Sequence, residues 1–246
     1  MLSKWYVHVR VRLGNTVKWL RLNVFGMGKY ESVIIDKAVF QKVKKEPLFI
    51  ASIQLGRIAN AVRSSQRTVM RIVDWSRLTD TKDRIEQLFI LASYTYEGIK
   101  EFFRREPDLS ILQVWTEKKA EIEKLRKERD GRGSRYWQVI HDIRNDVSFH
   151  FLKKTIEEHI DEYEPKDKVN FLIGKTELEK DILYILGDDI VMQYVFGREF
   201  MTGHVGQRLD GLTAYVLGIS QQLIEIITDV IVEVLQPIAT TKRRHL

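Results

Sequence analysis

The chain has 246 residues, 44% of them hydrophobic and 30% charged, so it is long enough for a sizeable core and too apolar for an intrinsically disordered segment. Cysteine is absent, which excludes disulfides and thiolate metal centres. The formal net charge of +6 and the pI of about 9.3 favour a polyanionic partner such as RNA, although a balance this modest also serves solubility alone.

Residues 4–13 alternate, with Trp5, Val7, Val9, Val11 and Leu13 on one face and Lys4, His8, Arg10 and Arg12 on the other. This two-residue period predicts a strand. Leu13-Gly14-Asn15-Thr16 is a turn signal, and Val17 to Phe25 is β-rich again, with Trp19-Leu20 breaking the alternation as a bulge would. A β-hairpin is expected, and Val33-Ile34-Ile35 reads as a third short strand. Residues 1–47 are therefore read as a β-rich N-terminal extension serving as a lid, a dimerisation arm or a partner-binding unit.

From residue 48 the apolar period becomes helical. Leu55, Ile58, Val62, Val69 and Val73 share one face, and Arg63, Arg67 and Arg71 line the opposite one at four-residue intervals. That arginine row is either a solvated surface stripe or a rail that tracks phosphates. A second helix is expected from the capping residues Thr79 and Asp80 to about Arg105, with Ile85, Leu88, Phe89, Ala92, Tyr96, Ile99 and Phe103 in one stripe. Pro107 and Asp108 punctuate it, and a third helix is expected over 109–129, its second half dense in charge of both signs. Asp130-Gly131-Arg132-Gly133-Ser134 is a basic loop, either a linker or a substrate-facing segment.

A helix over 135–160 follows, closed by Glu164-Pro165. Val169 to Ile173 reads as a short strand, and two short helices are expected at 176–186 and 189–201. A final helix is expected over 208–236, ended by Pro237, with Leu212, Val216, Ile219, Leu223, Ile226, Val230 and Val234 on one stripe. Its acidic Glu225, Asp229 and Glu233 mark it as a core or amphipathic helix rather than a membrane span. Lys242-Arg243-Arg244-His245 reads as a frayed basic tail. The start of the chain lacks the apolar core of a signal peptide, so a cytoplasmic location is expected.

The chemically informative stretch is Arg144-Asn145-Asp146-Val147-Ser148-Phe149-His150. On an ideal helix Trp137, Ile140, Val147 and Phe151 form an apolar face with Arg144 in its middle. An arginine there is costly unless its head is paired or lies in a polar pocket. Either it is structural, meeting Asp142 or Asp181, or it lines a cleft where its planar fork can hold a phosphate. His150, six residues on, falls about 120° around the axis from Arg144, so the two do not stack within one chain. Asp142, Asp146 and His150 at four-residue intervals are a further arrangement that could ligate a metal, but no metal or cofactor is expected.

The run resembles the R-x(4–6)-H signature of HEPN domains. The same spacing occurs at Arg135–His141 and Arg198–His204, but Tyr136 and Glu199 follow those arginines, whereas Asn145 follows Arg144 as is usual in the family. Many HEPN toxins continue His-x-Tyr; here Phe151 and Leu152 follow His150. The resemblance implies a mainly α protein, with a HEPN-like antiparallel helical bundle over 48–246 behind the hairpin extension. It also implies a metal-independent endoribonuclease of toxin or abortive-infection type, active at a homodimer cleft and paired with an antitoxin. Arg144, Asn145 and His150 would then be catalytic, with Arg63, Arg67, Arg71, Arg132 and Arg135 contacting RNA. The alternative is a non-catalytic helical module that binds RNA or a protein. No P-loop, G-x-S-x-G or H-E-x-x-H is present.

Overall fold

The computed structural model describes residues 6–13, 16–23, 31–35, 37–71, 78–147, 194–198, 200–238 and 240–243. These are mainly helical. In chain order the elements are β1 (Tyr6–Leu13), β2 (Thr16–Asn23), β3 (Glu31–Ile34), α1 (Lys37–Val43), α2 (Pro47–Arg71), α3 (Leu78–Arg104), α4 (Glu106–Leu109), α5 (Gln113–Glu117), α6 (Lys119–Arg129), α7 (Arg135–Asp142), a π turn (Ile143–Val147), α8 (Val205–Leu235), a 3₁₀ turn (Gln236–Ile238) and β4 (Thr240–Arg243). β1 pairs antiparallel with β2, Leu13 opposite Thr16. β3 pairs antiparallel with β4, Ile34 opposite Thr240. Lys242 and Arg243, expected to lie in a frayed tail, thus belong to a strand.

The core lies where α2, α3 and α8 meet. Leu55 and Val62 of α2, Leu88, Leu91 and Ile99 of α3, and Leu212, Val216, Leu223 and Ile227 of α8 are fully or almost fully buried. Their spacings of three, four, seven and eight residues are what put them on one face of each helix. α2 and α8 are also joined by a buried hydrogen bond, Gln66 Nε2 to Ser220 Oγ at 2.7 Å. Gly98 of α3 sits at this junction. A Cβ there would lie 2.8 Å from Ile58 Cγ2 and 2.9 Å from Leu223 Cδ2, so the absent side chain is what lets the three helices approach. α8 is long and apolar enough to cross a membrane, and half of that apolar window is buried against the neighbouring helices.

The single helix expected over 109–129 is instead two, α5 and α6, preceded by the short α4 that ends at Leu109. Leu112 is extended (φ −75°, ψ 148°) and supplies no side-chain cap to α5. Glu233 of α8 does so instead, accepting from the backbone N–H of Gln113 at 2.6 Å and of Val114 at 2.8 Å. A carboxylate at a helix start satisfies two orphan donors and meets the positive end of the helix dipole.

α6 ends in a Schellman arrangement, with Gly131 at φ 69°, Arg132 N–H bonded to Lys127 O and Gly131 N–H bonded to Glu128 O. The loop is fastened by buried Glu128, whose Oε2 accepts from Ser134 N–H at 2.8 Å and from the Tyr215 hydroxyl at 2.7 Å. Ser134 then caps α7, its Oγ accepting from Tyr136 N–H at 3.2 Å. The expected straight helix over 135–160 departs from α geometry at Ile143, where the π turn begins, and residues 148–160 lie outside the described set. So do the expected strand at 169–173 and the helix at 176–186. Of the helix expected at 189–201, residues 194–196 form one turn. α8 begins at Val205, capped by His204, which exchanges hydrogen bonds with Gln207, rather than at 208 after a loop histidine.

Candidate functional site

Arg144 and Asn145 lie in the π turn, packed against α3. Such turns are rare and recur at functional positions. Trp137, Val139, Ile140 and Ile143 supply the buried face, and Arg144 is half-buried. Among the described residues its charged partner is Glu97 rather than Asp142, and Asp181 lies outside them. Arg144 Nε lies 2.5 Å from Glu97 Oε1 of α3, and Nη1 donates to Asn145 Oδ1 at 3.0 Å. Asp142 is taken by Arg198, whose Nη2 donates to Oδ2 at 2.5 Å.

The bond from Arg144 fixes the Asn145 amide with its nitrogen toward His141, where Nδ2 lies 2.8 Å from Nε2. Nε2 is then the acceptor and Nδ1 carries the hydrogen, which points to Asp142 Oδ1 at 3.0 Å. Gln138 Nε2 donates to the same Oδ1 at 2.8 Å. One polar chain therefore runs Glu97–Arg144–Asn145–His141–Asp142–Arg198. Its four members on α7 and the turn, together with Gln138, follow from i, i+3 and i+4 spacing, which brings 138, 141, 142 and 145 to one side. Asp142 is buried, whereas the His141 side chain is 42% exposed and the Arg144 side chain 32%. The arrangement presents to solvent a guanidinium of fixed orientation beside an imidazole whose tautomer is set by a carboxylate.

Tyr96 of α3 stands against this chain. Its ring stacks on Trp137 at 5.0 Å and meets His141 edge-on at 5.5 Å. Burial, reinforced by the Glu97 and Asp142 carboxylates, raises its hydroxyl pKa against the opposing pull of Arg144, so the ring stays neutral. A pocket of about 340 Å³ is lined by Tyr96, Lys100, Phe103, Arg104, Arg129 and Trp137.

The other expected site residues are placed unequally. His150 lies outside the described residues, as does the Asp146 side chain, so the Asp142–Asp146–His150 spacing forms no described metal site; among the described residues no three His, Asp or Glu side chains gather as metal ligands. Arg63 is half-buried and turns to α8, with Nη2 3.5 Å from Thr228 Oγ1, while Arg67 and Arg71 are exposed. Arg132 is tied to Asp130 at 2.6 Å, and the exposed Arg135 lies 5.9 Å over the Phe200 ring. Sequence reasoning set aside His141 because Tyr136, not Asn, follows its upstream arginine. The signal that identifies it is its spacing to Asn145 on the same helical side. Glu97 and Arg198 carry no such local signal.

No protein-family model, no curated protein and no solved structure matches this chain.

Proposed function

We propose that this protein is a metal-independent RNA endonuclease of the HEPN type. Arg144 faces the phosphate under attack, Asn145 holds its orientation and His150 transfers the proton. In this reading α2 to α8 form a HEPN-like antiparallel bundle and the β1–β2 hairpin is an added arm. Two copies contribute to one cytoplasmic cleft, and an antitoxin protein restrains it. The supporting observation is the polar chain through Arg144, Asn145, His141 and Asp142, built into a π turn. Cleavage by the ribose 2′-hydroxyl needs a cation for the developing phosphorane charge and groups that move protons near neutral pH. Arg144 suits the first task and histidine the second, while His141, locked by Asp142, positions Asn145.

Purified protein should cut single-stranded RNA in excess EDTA and leave 2′,3′-cyclic phosphate ends. His150→Ala should lower the rate by a factor on the order of 10² to 10⁴ with RNA affinity retained. Arg144→Ala should lower both. If His150→Ala cuts as fast as the parent, the assignment is wrong. The pairing of Arg144 with Glu97 favours a second reading, in which the arginine is structural and the protein binds RNA without cutting it. Salt-sensitive binding by an uncleaving wild type would establish that reading instead.

A further inference from the structure

The pocket beside Tyr96 has a composition that the polar chain does not explain. Its lining residues are three cations and three aromatic rings, with no carboxylate among them. Lys100 and Arg104 stand one helical turn apart on the exposed side of α3, Arg129 closes the rim from the end of α6, and Trp137 forms the wall toward α7. Cations already lie on the rings. Lys100 Nζ is 5.2 Å from the Tyr96 centroid, and the Arg129 guanidinium is 4.5 Å from that of Phe103.

The rim charge is only partly compensated. Arg104 pairs with Glu101 at 2.8 Å, but its side chain is 71% exposed, so the pairing is weak in water. Arg129 pairs with Asp130 at 2.8 Å. Among the described residues no carboxylate lies within ion-pairing distance of Lys100, whose one described contact is the Tyr96 ring. A small concave site with cations at its rim and aromatic carbons in its floor suits a ligand that is anionic at one end and a flat ring at the other.

We propose that this pocket is a nucleotide subsite for single-stranded RNA, with a phosphate held by Lys100 and Arg104 and its base set against the aromatic floor. The pocket's size is that of one small ligand unit rather than an extended duplex. Tyr96 is shared: it lines the pocket and meets His141 edge-on, and its neighbour Glu97 holds Arg144. A nucleotide seated here would deliver the adjoining phosphodiester toward Arg144. The proposal deepens the ribonuclease reading and rests on it for the identity of the strand.

The test is fluorescence anisotropy of a labelled single-stranded oligoribonucleotide with the full chain. Lys100→Gln/Arg104→Gln is compared with Lys37→Gln/Lys42→Gln, which removes equal charge from exposed positions on α1. The pocket pair should weaken binding about tenfold and lower the salt slope by about 0.7, the loss of one neutralised single-strand phosphate. The α1 pair should change affinity less than threefold. Inorganic polyphosphate should bind wild type more weakly than RNA of matched charge, because it has no base to stack. Binding of the pocket variant within twofold of wild type, an equal loss in both variants, or polyphosphate binding as tight as RNA would each overturn the subsite. Circular dichroism keeps a folding defect from passing as a binding loss, and the single Lys100→Gln variant, at an exposed position, repeats the measurement if the pair misfolds. An uncleaving wild type with the expected affinity loss overturns the ribonuclease reading alone. A nuclease whose affinity ignores the pocket variant overturns the subsite alone.

Discussion

Asp142 holds the polar chain together, and replacing it by asparagine tests that role directly. The carboxylate is 7% exposed and receives Arg198 Nη2 at 2.5 Å, Gln138 Nε2 at 2.8 Å and His141 Nδ1 at 3.0 Å. The amide would keep the shape but lose the charge and convert one acceptor oxygen into a donor, so either Arg198 or the Gln138–His141 pair meets an N–H. A hydrogen bond to a charged partner contributes about 1.5–3 kcal/mol, and breaking one side of a fully buried pair costs about 3–5 kcal/mol. The Arg198 side chain retains 29% exposure, so water recovers part of that loss. The expected destabilisation from Asp142→Asn is therefore about 2–3 kcal/mol. Urea denaturation followed by circular dichroism should show a lower midpoint with an unchanged slope. A double-mutant cycle with Arg198→Met should recover most of that energy as coupling. A midpoint shift worth less than about 0.5 kcal/mol would refute the reasoning, because it would mean that Asp142 does not carry the contacts ascribed to it.

Two further outcomes follow from the helix junctions. Arg126 donates to both oxygens of Glu106, at 2.9 and 2.7 Å, and this bonding holds the Glu106 carboxyl below its ordinary range. A depressed carboxylate pKa adds stability above its unfolded value that is lost as pH falls through the folded one, so the stability gap between wild type and Glu106→Gln should narrow from pH 7 to pH 3 in urea titrations; a constant gap would count against the pairing. At Gly98, alanine gains helix propensity but its methyl would lie closer than van der Waals contact to Ile58 and Leu223, at 2.8 and 2.9 Å, and force them to shift. Thermal melts of Gly98→Ala should show a net loss of about 1–2 kcal/mol, and a stabilised variant would mean the α2–α3–α8 junction is looser than described.

The long helices were legible because burial imposes a period. Leu55, Val62 and Val69 in α2, Leu88, Ala92 and Ile99 in α3, and Leu212, Val216, Leu223 and Val230 in α8 all face the core as their spacing requires. The breaks between 109 and 119 were not legible, since no Gly or Pro interrupts the sequence there and the cap on α5 comes from Glu233, far along the chain. Arg144 stood out as a cation in the middle of an apolar stripe. Its partner did not, because Asp142, Asp181 and Glu97 are equivalent in sequence and only the packing of α3 against the turn selects Glu97. The π turn was equally hidden, since Ile140 and Ile143 satisfy an α period as well as a wider one.

That wider turn bears on how the motif should be counted. A π turn accommodates one residue more than the α-helical turn it replaces, without breaking the helix. The interval from Arg144 to His150 therefore does not translate into a fixed angle about the axis, and the straight-helix offset of about 120° does not apply across it. Insertion or deletion of one residue between 143 and 147 can be absorbed by gaining or losing the wide turn, with α7 left in place. Two chains whose arginine and histidine are separated by different numbers of residues can thus present the same pair of side chains, and a search that fixes the count would divide them.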